Sequence, residues 1–79
     1  MPGQFSGIYR GIVVNASDPL NAGRALVSVP MVHNEGGVWA MPCIAFGAPP
    51  NSGPRAGQEV WVMYENGDAT RPVVLGKSR

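Results

Sequence analysis

The chain has 79 residues, 14% of them charged and 44% hydrophobic, with a net charge of +1. That length allows one domain, and the apolar content argues against a disordered chain. Six scattered cations, Arg10, Arg24, Arg55, Arg71, Lys77 and Arg79, speak against a protein that lives by phosphate contacts, which needs them clustered.

A single cysteine excludes an internal disulfide. One cysteine with one histidine cannot supply a four-ligand zinc site of those residue types. A domain of this size buries only about 60% of the surface its unfolded chain exposes. With neither disulfide nor metal as a staple, oligomerisation is the expected one. The opening MPGQFSG has no basic region followed by an apolar run, and no stretch is long and apolar enough to span a bilayer as a helix. Synthesis in the cytoplasm is expected, and with it a reduced Cys43.

Glycine (11) and proline (8) recur between short apolar runs, and no longer window carries a helical stripe. Five strands are predicted. The first run, Ile8 to Asn15, is β-branched, with Gly11 marking a bulge or bend. The segment ASDPLNAG that follows reads as a turn. Pro19 sets φ, the Asp18 carboxylate accepts from nearby backbone N–H groups, and Asn21 or Gly23 takes positive φ. In the second run, Arg24 to Pro30, residues Ala25, Val27 and Val29 share one face at period two, and Pro30 ends it. HNEGG then suits a hairpin, with His33 an exposed loop histidine rather than a catalytic base.

The third run extends from Val38 to Phe46, with Pro42 demanding an edge or a bulge. Its apolar setting makes Cys43 a small core thiol. GAPPNSGPRAG has no apolar period and is expected to be a surface loop. The fourth run, EVWVMYE, puts Val60, Val62 and Tyr64 on one face and Trp61 and Met63 on the other. The dipeptide Asn66-Gly67 turns the chain, Asp68 is expected to hold its own turn, and Arg71 to lie near Glu65 across the hairpin neck. Pro72 starts the last run, which ends at Gly76.

Five strands in so short a chain indicate a small all-β barrel, which limits exposed sheet edges. The pattern fits a five-stranded Greek-key barrel of the OB type and an SH3-like barrel alike. No nucleophile, base and orienting group recur together, and Asp18, Glu35, Glu59, Glu65 and Asp68 compose no calcium loop. The glycines match no phosphate-cradling motif. Neither catalytic residues, nor a metal, nor a cofactor, nor a small-molecule substrate is therefore expected. An outward Trp61 and Met63 need a cover, either a partner or the chain's own GAPPNSGPRAG loop.

Three segments, DPLNAGRALVSVP, WAMPCIAFGAPP and PRAGQEVWVMYENGDATRPVVLG, carry a family likeness. Together they resemble the OB-fold domain of phage baseplate spike proteins of the baseplate assembly protein V type. The same domain occurs in the valine-glycine repeat spikes of type VI secretion. The matching positions include Asp18-Pro19, Gly23-Arg24, Val29-Pro30, Trp39-Ala40, Gly57, Val60, Val62, Tyr64, Gly67-Asp68, Arg71-Pro72 and Gly76, and the likeness runs from about Tyr9 to Lys77.

The resemblance implies one OB-fold domain over residues 1–79 with a short N-terminal arm of about residues 1–7. It implies a structural part of a contractile-tail baseplate or injection device, found in the virion or particle. In that setting the domain is a trimer beneath the central hub, joining hub and tail tube to a membrane-piercing spike. It implies no reaction, since enzymatic family members carry that activity on added domains. The chain ends three residues after Gly76, so a stand-alone adaptor is expected, with the needle made by a separate protein. Trp61, Met63, Arg24 and Arg55 are the expected interface residues. Asp18, Pro19, Gly23, Gly67, Asp68, Arg71 and Pro72 are the expected turn residues. The alternative function is binding of single-stranded nucleic acid, the other common work of OB-folds, with aromatic side chains as stacking platforms.

Overall fold

Period-two alternation translates directly into strand faces. The computed structural model describes residues 4–33, 36–49 and 52–79. It has strands β1 (Tyr9–Asn15), β2 (Ala25–Ser28), β3 (Val38–Pro42), β4 (Glu59–Tyr64) and β5 (Pro72–Lys77). They close into a barrel in the order β1-β2-β3-β5-β4, with β4 returning to β1. Every pair is antiparallel except β3 with β5. This is the expected all-β five-stranded barrel of OB type.

The core is Val13, Ala25, Val27, Val29, Ala40, Val60, Val62, Tyr64 and Val74. Both predicted inward sets, Ala25/Val27/Val29 and Val60/Val62/Tyr64, lie within it. Compact β-branched side chains suit the interior of a narrow barrel, where facing strands converge. Gly11 has a different role from the expected bulge. The β1–β2 register shift lies between Val13 and Asn15. Gly11 itself is buried where β1 passes against Val27 and Val29, and the missing side chain permits the approach.

The third strand is shorter than its apolar run. It stops at Pro42, which pairs with Val74, and the Cys43 N–H donates to the Val74 carbonyl at 2.8 Å. Beyond that bond the chain leaves the barrel wall, turning at Ala45–Ala48. Cys43 is therefore exposed rather than a core thiol, and Phe46 is fully exposed. Hydrophobicity marked the run, but the chain turns away after Cys43 and leaves the remaining edge of β5, Leu75 to Lys77, without a strand partner among the described residues.

One end of the barrel is closed by an aromatic cluster. The Phe5 N–H donates to the Gly67 carbonyl at 3.2 Å, bringing the arm over the β4–β5 turn. Phe5, Tyr9 and His33 surround Tyr64, with ring centroids 6.1, 5.5 and 5.9 Å away. His33 is thus a half-buried packing partner of Tyr64 and not the exposed loop residue expected. Its neighbours Asn34 and Glu35, like Pro50 and Asn51 of the long loop and residues 1–3 of the arm, lie outside the described residues.

The Tyr64 hydroxyl is buried without a hydrogen-bond partner among the described residues. Burial, with a smaller contribution from Tyr9, pushes its pKa up to about 12. The raised value favours the neutral phenol in the fold. That stabilisation is complete below the unfolded value of 10.0 and is lost as pH rises from there towards about 12. Tyr64→Phe removes an unsatisfied hydroxyl and keeps the ring packing. It should be neutral or stabilising by about 1 kcal/mol at neutral pH, and should reduce the loss of stability above pH ~10. Denaturant titrations of both proteins at neutral and alkaline pH check this; a clear destabilisation at neutral pH would mean that the hydroxyl has a partner.

Candidate assembly interface

Outward side chains form rows set by register. Met63 on β4 lies opposite Val73 on β5, and Val73 lies beside Met41 on β3. Leu26 on β2 lies opposite Trp39 on β3. The row Met63–Val73–Met41 thus crosses three adjacent strands. Met63 is 40% exposed and Met41 49%, so the chain's own loops leave both uncovered.

Both tryptophans are half-buried, and each has an arginine over its ring. The Arg10 guanidinium lies 4.5 Å from the Trp61 ring centroid and 3.7 Å from Glu59. Arg24 lies 5.2 Å from the Trp39 ring. A cation over an indole face is attracted by the ring quadrupole, by about 0.5–1 kcal/mol at exposed sites. Trp61 is thus covered in part by Arg10, a strand neighbour, where sequence reasoning offered a partner or the 47–57 loop. The pairing was invisible beforehand because Arg10 and Trp61 meet only through the β1–β4 register.

Arg24 is held at the same time by the preceding turn. Its Nε and Nη2 donate to Asp18 Oδ2 and Oδ1 at 2.8 and 2.9 Å. Asp18 also accepts from the backbone N–H groups of Leu20, Ala22 and Arg24 at 2.9, 3.1 and 3.2 Å. Its side chain is only 3% exposed. The Arg24 guanidinium, with the backbone donors behind it, holds the Asp18 carboxyl well below its ordinary range against the opposing effect of desolvation. Asn21 and Gly23 both take positive φ, 55° and 80°, as this tight return requires. Pro19 is exposed at the turn's tip. The sequence indicated the backbone bonds of Asp18. The bidentate arginine was missed, though the same short stretch contains both partners.

The β4–β5 turn is built by similar means. Asn66 and Gly67 have φ of 54° and 71°. Asp68 Oδ1 accepts from the Thr70 N–H and hydroxyl at 2.9 and 2.7 Å, which lowers its pKa, the backbone bond first. Arg71 meets Glu65 at 3.1 Å, both exposed. Pro72 is buried opposite Tyr64. Arg55 sits at the other end of the barrel, exposed, and its backbone N–H donates to Gln58 Oε1 at 2.8 Å. The interface residues expected from the sequence are therefore dispersed: Trp61 and Met63 on the outer wall, Arg24 at the end of a turn, Arg55 in the 47–57 loop.

Among the described residues no three His, Cys, Asp or Glu side chains gather closely enough to hold a metal ion. The geometry is that of a closed barrel with hydrogen-bonded turns and an apolar outer row. No curated protein matches the chain well enough to count as a relative. Residues 9–78 match the family described as the type VI secretion system/phage-baseplate injector OB domain. That match spans nearly the whole chain and agrees with the closed five-stranded barrel, and the chain belongs to this family of structural baseplate domains.

Proposed function

We propose that the chain is a homotrimeric adaptor that links the central hub and tail tube of a contractile baseplate or injector to a separate spike protein. The observation that carries this reading is the row Met63–Val73–Met41 on the outside of a baseplate OB barrel. Exposed apolar surface costs about 25 cal/mol per Å² relative to burial. Methionine, tryptophan and arginine are enriched in interface cores. Trp61 under Arg10 borders this row on β4, placing an aromatic and a cation at its edge. The adaptor acts by position and stiffness, with its two pinned turns keeping register while force passes through the barrel.

Light scattering on the purified chain, alone and with its hub protein, tests the assembly. The expected mass is three times 8.3 kDa, or a three-to-three complex with the hub. Met41→Glu/Met63→Glu, changed at two exposed sites, should leave the chain folded and lose the trimer, with a melting temperature that no longer rises with protein concentration. A single-chain mass for the unmodified protein with hub present, across the accessible concentration range, would overturn the proposal.

A further inference from the structure

The barrel end opposite Tyr64 is spanned by the connection between β3 and β4. Its last residues are tied to β1: the Gly57 N–H donates to the Val13 carbonyl at 2.8 Å, and the Val13 N–H to the Gln58 carbonyl at 2.9 Å. Clefts of about 310 and 630 Å³ are both lined by Ser52–Arg55 and share Pro42 as a wall. A run of prolines and glycines cannot form the apolar helical face that would fill such a space.

Two observations describe what fits there. The first is charge. Arg24, Arg55 and Lys77 line the clefts, and no Asp or Glu does among the described residues. Arg24 is neutralised by Asp18. Arg55 and Lys77 are exposed, and neither is among the chain's ion pairs within the described residues. Glu59 is already engaged by Arg10 and Arg79. The second is an open strand edge. β3 pairs with β5 only at Val73 and Val74, whereas β5 continues to Lys77. From Leu75 to Lys77 that side of β5 has no neighbouring strand among the described residues, and Gly76 and Lys77 line the smaller cleft. A strand edge beside a groove favours an extended chain, and two uncompensated cations favour carboxylates.

We infer that this trough takes up an acidic, extended segment of a partner protein, lying along β5 with its carboxylates on Arg55 and Lys77. The assignment is independent of the trimer, since the trough belongs to one chain. Cys43 lines the smaller cleft and is exposed, so it reports occupancy without any substitution.

The probe is a fluorescein-labelled decapeptide of alternating Glu and Val, compared with its Lys–Val counterpart, on the full chain. Binding of the Glu peptide alone is expected, weakening with salt. Arg55→Gln/Lys77→Gln should reduce its affinity about tenfold, equivalent to about 1.4 kcal/mol. Arg71→Gln, at the opposite end of the barrel, should change it less than about twofold. Saturating peptide should slow alkylation of Cys43 by iodoacetamide. Several results would overturn the assignment: no binding of the Glu peptide, equal binding of the Lys peptide, equal loss in Arg71→Gln, or unaltered alkylation at saturation. Tighter binding of a single-stranded oligonucleotide through the same two cations would also do so, and would make the trough a nucleic-acid site.

Discussion

Gly11→Ala is expected to destabilise the barrel by about 1–3 kcal/mol, the usual cost of overpacking a filled core. For a domain of this size that corresponds to a fall in melting temperature of roughly 5–20 °C. A Cβ at Gly11 would stand 2.8 Å from Val27 Cγ1, 3.1 Å from the Ser28 carbonyl oxygen and 3.3 Å from Val29 Cγ2. Real Cβ atoms essentially never come within 3.0 Å of another heavy atom, so the contact with Val27 forces something to move. Val27 and Val29 have no exposed surface and therefore no free space to rotate into. The Ser28 oxygen belongs to the backbone of β2, so its retreat would strain the β1–β2 ladder. Gly76→Ala supplies the control, because no atom of the described residues lies within 4 Å of a Cβ there and its φ is ordinary. The two substitutions add the same methyl group, so thermal melts of the pair isolate the contact. Equal melting temperatures would show that β1 does not pass so close to Val27.

The inward faces of β2 and β4 were legible because strand alternation is local. Val60, Val62 and Tyr64 announce a buried face to any reader who counts by two. Turn chemistry was legible for the same reason. Asp18, Gly23, Asn66, Gly67 and Asp68 each act within a few residues of themselves. What could not be read depends on which strands become neighbours. β3 finds its second neighbour in β5, from a segment about thirty residues later in sequence, and Cys43 loses its expected burial where that pairing stops at Val74. His33 joins the aromatic cluster around Tyr64 only because the chain after β2 and the end of β4 meet at the same end of the barrel. The two arginine–tryptophan contacts follow the same rule. Arg10 needs β4 beside β1, and Arg24 needs β3 beside β2. Their residue types were visible and their partners were not. The candidate interface was accordingly half legible: Trp61 and Met63 were identified as outward, whereas their continuation through Val73 to Met41 required the parallel pairing of β3 with β5.

Asp18→Asn should lower the melting temperature substantially at neutral pH, and its deficit should shrink in acid. The carboxylate accepts three backbone N–H groups and two guanidinium donors within one turn. An amide is nearly isosteric but offers one oxygen as acceptor, and its NH2 group would face donors. It also leaves Arg24, three-quarters buried, without a counter-charge. The pH dependence follows from the depressed carboxyl pKa. An unfolded Asp18 binds its proton near 3.8, whereas the folded one resists until far lower pH. Its stabilising contribution is therefore complete above about 3.8 and is progressively lost below it, towards the folded value. The substituted amide cannot titrate, so this part of the acid sensitivity disappears in the variant. Asp68, whose pKa is also lowered, titrates in both proteins and leaves the variant a shallower acid slope than the wild type. Urea titrations at pH ~7, ~4 and ~2.5 should thus show the difference between wild type and variant narrowing only over the last interval. Intrinsic fluorescence is a suitable reporter, because Arg24 released from Asp18 also loses its fixed place over Trp39. A constant difference at all three pH values would mean that the Asp18 charge contributes nothing to the turn, and that its backbone bonds alone hold the chain between β1 and β2.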